Sequence, residues 1–208
     1  MYYLSQIIMK IHLLAYLLII IFGFGANRSF LAQEVMLDTC KVFKSIQEAL
    51  DSEEDVYVLD LSKDGLKEFP RDVLKLTELR SLKLSKNKLT HLPDEVAGLD
   101  KLEEISLSKN SFSTFPIVLT KLTCLKRIYI DQNEITAIPH DINKLVHLEL
   151  LDMWSNDLYI VPESISELKN LKFFDLRVIQ MSKEEQERIN KLLPNTKVYF
   201  SNTCNCAH

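Results

Sequence analysis

The sequence predicts an α/β solenoid, a stack of like coils with a short parallel sheet on its concave side. Three observations predict it. Pro70, Pro93, Pro116, Pro139 and Pro162 follow one another at intervals of 23 residues, with no slippage. Around each proline the same apolar frame recurs. Three residues on stand Val73, Val96, Leu119, Ile142 and Ile165; six on, Leu76, Leu99, Leu122, Leu145 and Leu168; nine on, Leu79, Leu102, Leu125, Leu148 and Leu171. Two apolar positions separated by one residue then follow, from Leu82/Leu84 to Phe174/Leu176, and an asparagine closes the unit at Asn87, Asn110, Asn133 and Asn156. A fixed period in this range is the mark of stacked repeats.

Residues 1–32 read as a secretory signal peptide. Lys10 and His12 precede an apolar run from Leu13 to Phe24, shorter than the roughly 20 residues a membrane span needs. Gly23, Gly25 and Asn27 break the run. Cleavage is expected after Ala32, with Ala26 as the rival site, and Met9 also reads as a natural start. An uncleaved anchor is the competing reading. Residues 33–55 are expected to form an N-terminal helical cap: Asp38 can cap a helix with Val42, Phe43, Ile46, Ala49 and Leu50 at helical spacing. A solenoid exposes apolar edges at both ends and needs such lids.

Residues 56–181 carry the repeats. Their pattern, LxxLxLxxNxLxxLPxxhxxL with h aliphatic, resembles the leucine-rich repeat in its 23-residue Leu-Pro form. The resemblance implies a right-handed β-α superhelix. Leu82 and Leu84 alternate inward along a short strand, as period two requires. The proline segment returns as a turn or short irregular helix, because proline removes a backbone donor. The asparagines read as structural, each amide satisfying turn backbone groups in its own and adjacent coils. Asp64 and Ile179 replace Asn where the array ends.

Function must lie in the positions that the frame leaves variable. Three outward columns run down the stack. The first is Val58, Ser81, Glu104, Arg127, Leu150 and Phe173; the second Asp60, Lys83, Ser106, Tyr129, Asp152 and Asp175; the third Ser62, Ser85, Ser108, Asp131, Trp154 and Arg177. The N-terminal half is small and polar. The C-terminal half gathers Arg127, Tyr129, Leu150, Asp152, Trp154, Phe173, Asp175 and Arg177. Trp, Tyr and Arg are the residues enriched in protein-binding hot spots. Two readings stand side by side: these residues bind a partner, or Trp154 and Phe173 pack beneath the C-terminal cap.

Residues 182–208 read as that cap and a polar tail. Ser182 and Glu185 form a capping box, Ile189, Leu192 and Leu193 give the helix an apolar stripe, and Lys197 to Phe200 read as a closing edge strand. In the tail, Cys204, Cys206 and His208 are soft ligands, but their spacing is not that of a structural zinc site and no fourth ligand is in view. No metal and no cofactor is expected. Cys40 in the first cap is expected to lie on the order of 25 Å from the tail, across six strands at the sheet spacing. A disulfide needs Cα atoms within about 7 Å. Local pairing of Cys204 with Cys206, an intermolecular bridge or free thiols remain.

The chain has 208 residues, 47% of them hydrophobic, enough for a sizeable core in one domain. Its formal charge is −4, and −6 once Lys10 and Arg28 of the leader are set aside. A nucleic-acid binder would show a basic face instead. His91, His140 and His147 sit in separate repeats with no shared nucleophile, and no phosphate loop, HExxH or GxSxG occurs. Asp152 and Asp175 can neighbour each other, but on an open face water is expected to hold them in the ordinary carboxylate range.

The expected function is therefore non-catalytic. The protein is expected to be secreted, periplasmic or on the cell surface. It is expected to bind a protein, or a glycan, through the concave face as a monomer, with no stable membrane span after cleavage. Two other classes stay open. One is a cell-surface adhesion or structural component. The other is an intracellular signalling adaptor, since the Leu-Pro repeat also resembles intracellular Ras-associated repeat proteins; an adaptor would lack a cleaved leader.

Overall fold

The computed structural model describes residues 37–201. The expected leader, and the tail with Cys204, Cys206 and His208, lie outside them. Among the described residues, eight strands form one parallel sheet in chain order. They are β1 (Val42–Phe43), β2 (Val58–Asp60), β3 (Ser81–Lys83), β4 (Glu104–Ser106), β5 (Arg127–Tyr129), β6 (Leu150–Asp152), β7 (Phe173–Leu176) and β8 (Lys197–Phe200). The pairing keeps the repeat period: Leu82 sits beside Ile105, Ile105 beside Ile128, Ile128 beside Leu151 and Leu151 beside Phe174.

Each of the five repeat prolines opens a short 3-10 helix, at Arg71–Lys75, Asp94–Gly98, Ile117–Lys121, His140–Lys144 and Glu163–Glu167. Fixed φ suits proline to a helix start, where its missing N–H would have no partner anyway. Between strand and 3-10 helix lies the core. In one coil Leu82, Leu84, Leu89, Val96, Leu99 and Leu102 are all sealed from water. Burying each is worth about 2 kcal/mol.

The asparagines do what the sequence indicates. Asn133 accepts from the Phe112 N–H at 3.0 Å and donates to the carbonyls of Leu107 at 3.1 Å and Ile130 at 3.0 Å. Asn87 and Asn156 repeat the arrangement. One residue before each rung the backbone turns left-handed, at Lys63, Lys86, Lys109, Gln132, Ser155 and Val178, with φ between 53° and 70°. The sequence gives no warning of this column, because none of its members is glycine.

The N-terminal cap departs from expectation. Its helix runs only over Ile46–Leu50, with Ser45 rather than Asp38 before it. Val42 and Phe43 form β1 and pair with Val58 and Leu59. Their spacing fits a helix, but the open sheet edge offers unpaired backbone groups, and a β-branched and an aromatic residue suit a strand. At the other end the helix Lys183–Leu192 buries Ile189 and is capped by Ser182, which accepts from the Glu185 N–H at 3.2 Å. The Glu185 carboxylate turns to Arg188 instead of closing the box. Arg188 also reaches the Val161 carbonyl and Glu163, both at 2.6 Å, and so pins the helix to the last proline turn.

Candidate functional site

The strand register places the outward columns where period two puts them. Glu104, Arg127, Leu150 and Phe173 are successive neighbours, as are Ser106, Tyr129, Asp152 and Asp175. The third column follows just beyond the strand ends. Arg127, Tyr129, Leu150, Asp152, Trp154 and Asp175 are half-buried, while Arg177 is exposed. Phe173 stays 43% exposed, so the C-terminal cap does not cover it. β8 adds two residues to the face that sequence spacing did not assign. Lys197 pairs with Phe173 and Tyr199 with Asp175. The step from Phe173 to Lys197 is one residue longer than the repeat, so the period did not carry the columns onto β8.

Polar contacts divide the face. Glu104 takes a hydrogen bond from Ser81 at 3.0 Å and an ion pair from Arg127 at 2.7 Å. Ser85 and Ser106 share one at 2.5 Å, and Ser108 donates to Asp131. At the far end Arg177 grips Asp175 through two nitrogens, at 2.6 and 3.0 Å, and lies 5.8 Å from the Tyr199 ring centroid. That grip holds the Arg177 guanidinium above its ordinary pKa. Burial raises the Tyr129 hydroxyl, with Glu104 adding to the rise.

Asp152 is the exception to the expected hydration. Burial pushes its carboxyl up to about 6; a backbone hydrogen bond from Trp154 and the charge of Arg177 pull the other way, while Asp131 and Asp175 add to the rise. Strand pairing brings Asp175 alongside it, and half-burial removes the water that would otherwise screen the pair. Beside it a depression of about 360 Å³ is lined by Leu150, Asp152, Phe173, Asp175, Arg177 and Tyr199. A wider hollow of about 500 Å³ lies at the other end of the chain, lined mainly by Lys41, Glu53, Glu54 and Asp55. It brings together none of the residues predicted from the sequence.

A leucine-rich repeat region is recognised over residues 39–197. No curated protein matches the chain. Among solved structures it resembles internalin C2 from Listeria monocytogenes, at 23% identity and a TM-score of 0.60 over 70% of this chain and 62% of that one. It also resembles the leucine-rich repeat ectodomain of the plant membrane receptor kinase GASSHO1/SCHENGEN3 from Arabidopsis thaliana, solved in complex with CASPARIAN STRIP INTEGRITY FACTOR 2. That match has 24% identity and a TM-score of 0.59, over 77% of this chain and 19% of that one. An internalin, inlF, from L. monocytogenes matches at 19% identity and a TM-score of 0.51, over 72% and 50% of the two chains. The chain thus spans less than two thirds of each of these solved chains, and the likeness concerns the fold. With the repeat region covering most of the sequence and the parallel sheet keeping its period, the chain belongs to the leucine-rich repeat family.

Proposed function

We propose that this chain is an exported, non-catalytic recognition module that binds a protein partner, as a monomer, through the C-terminal half of its concave face. Leucine-rich repeats commonly mediate protein–protein interaction and are typically non-catalytic, which supports the general reading. The observation that carries the specific one is the register itself. It makes neighbours of Arg127, Leu150 and Phe173 and of Tyr129, Asp152 and Asp175, with Trp154 and Arg177 following just beyond the strand ends and Phe173 left open to water, which supports reading the eight as one surface. Aromatic and arginine side chains gathered in one place, with Phe173 and Arg177 exposed and the others half-buried, have the composition of a binding hot spot.

Export rests on the residues of the leader, and release of a protein beginning at Gln33 tests it. Among the described residues no helix is long and apolar enough to cross a membrane. The binding surface is tested by capture of partners with the wild type beside a Tyr129/Trp154/Arg177 triple alanine variant. The expected result is loss of the partner with a melting temperature close to wild type. Equal capture by both proteins removes the site, and a melting temperature lowered by many degrees assigns these side chains to folding instead.

A further inference from the structure

The acids on the C-terminal half of the face are not equally satisfied. Asp175 is gripped by Arg177. Asp131 accepts from Ser108 and, at 3.1 Å, from Gln132. Glu104, at the boundary of the two halves, holds Ser81 and Arg127. Asp152 receives only the Trp154 N–H, at a long 3.3 Å, and makes no ion pair among the described residues. A half-buried carboxylate so placed has no ion-pair partner in contact; Arg177, engaged by Asp175, acts on it only at longer range. It forms one wall of the depression, and Leu150 and Phe173 form an apolar flank beside it. The Tyr199 ring on the far wall already has cations near it, with Lys197 Nζ at 4.9 Å and Arg177 Cζ at 5.8 Å from its centroid. Aromatic rings favour such neighbours. Neither of these cations pairs with Asp152.

Building on the concave-face reading, we propose that this depression receives a lysine or arginine side chain of the protein partner. The cation lies against Asp152 and its methylenes lie along Leu150 and Phe173. Charge complementarity selects the occupant: with Arg177 already engaged by Asp175, an acidic group would meet the unpaired Asp152, and an aliphatic one would leave Asp152 further desolvated and still unpaired. Arginine fits better than lysine, because a planar guanidinium can stack on a ring while it bonds a carboxylate.

The site is pH-sensitive in a stated direction. The charged and titratable groups around Asp152 are Tyr129 and Asp131 from the β5 coil, Asp175 and Arg177 from the β7 coil, and Tyr199 from β8. None is histidine. With Asp152 titrating near 6, roughly a tenth of it is charged at pH 5 and nearly all at pH 8. Affinity for a cation therefore falls about tenfold on going from pH 8 to pH 5.

Trp154 is the only tryptophan and lies two residues from Asp152, so its fluorescence reports occupancy. The purified protein is titrated with acetyl-Ala-Arg-Ala-amide, and with its lysine and glutamate counterparts, at pH 8 and pH 5. The expected result is a saturable response to the arginine peptide, weaker for lysine and none for glutamate. It falls about tenfold at pH 5 and at least tenfold in Asp152→Asn at pH 8. Equal responses to arginine and glutamate, or unchanged affinity in Asp152→Asn, overturn the proposal. Partner capture separates the two levels. A partner lost by the triple alanine variant but retained in full by Asp152→Asn overturns the cation site and leaves the concave-face reading standing. A partner retained by the triple variant removes that reading itself.

Discussion

The two halves of the concave face share a backbone and differ in what their side chains still need. In the N-terminal half the polar groups answer one another: Ser85 with Ser106, Ser81 with Glu104, Glu104 with Arg127. One residue before β4, Glu103 takes Arg80 at 2.6 Å and Lys126 at 2.8 Å, joining three coils. In the C-terminal half Phe173 keeps 43% of its surface open, and Asp152 has a single long hydrogen bond. Identical coils thus support one half in which acids are paired across coils and another in which Asp152 has no ion-pair partner among the described residues. A repeat frame decides where side chains stand and leaves open what they demand.

The largest expected effect comes from removing what both halves share. Asn133 stands where they meet, and Asn133→Ala strands the Phe112 N–H and weakens the bonding of two carbonyls. Buried groups left without partners cost about 1–3 kcal/mol each. The variant should lose about 3 kcal/mol, read as a lower urea midpoint.

A pair of acid-to-amide variants sharpens the contrast, with opposite signs. Burial raises the Glu103 carboxyl, but hydrogen bonds from Lys126 and Arg80 outweigh it and hold it below its ordinary 4.5. Its contribution is present above the unfolded value and is lost as pH falls through the folded one. Glu103→Gln should therefore cost about 1–2 kcal/mol at pH 7. Asp152 moves the other way, from 3.8 to about 6. Its contribution is present below the unfolded value and is lost as pH rises through about 6. The full shift corresponds to roughly 3 kcal/mol, and about half that at a site still partly open to water. Asp152→Asn should therefore stabilise the protein at pH 7.5 relative to wild type and show no gain at pH 4. Urea midpoints of both variants across this range check the signs.

The smallest effect concerns the backbone beside the site. Val178 holds φ 62° at a position where the N-terminal coils place unbranched lysines. A β-branched residue is strained there. Val178→Asn should gain about 1 kcal/mol, because Asn tolerates the left-handed region. The melting temperature measures it, and no gain would show that the coil has relaxed around the valine.

Much of this was legible beforehand, for a physical reason. A period of 23 forces like residues into one column, so the frame, the asparagine rungs and the outward columns all follow from spacing. What was not legible sits where the period ends or where environment outweighs residue type. Val42 and Phe43 fit a helix until an open sheet edge is placed beside them. Tyr199 and Lys197 fall outside the columns because one extra residue shifts the count. The proton affinity of Asp152 depends on Asp131, Asp175 and the packing around all three, which no local pattern encodes.

The asparagine rungs also govern how such a molecule comes apart. Each amide clasps a carbonyl 26 residues back and an N–H 21 residues back, so no interior coil can loosen without releasing its neighbour. The terminal coils, with Asp64 and Ile179 in place of the amide, have no such clasp of their own. Fraying is expected to begin at the two ends and advance one whole turn of the superhelix at a time, with the middle of the array, beside Tyr129, the last part to exchange its amide protons.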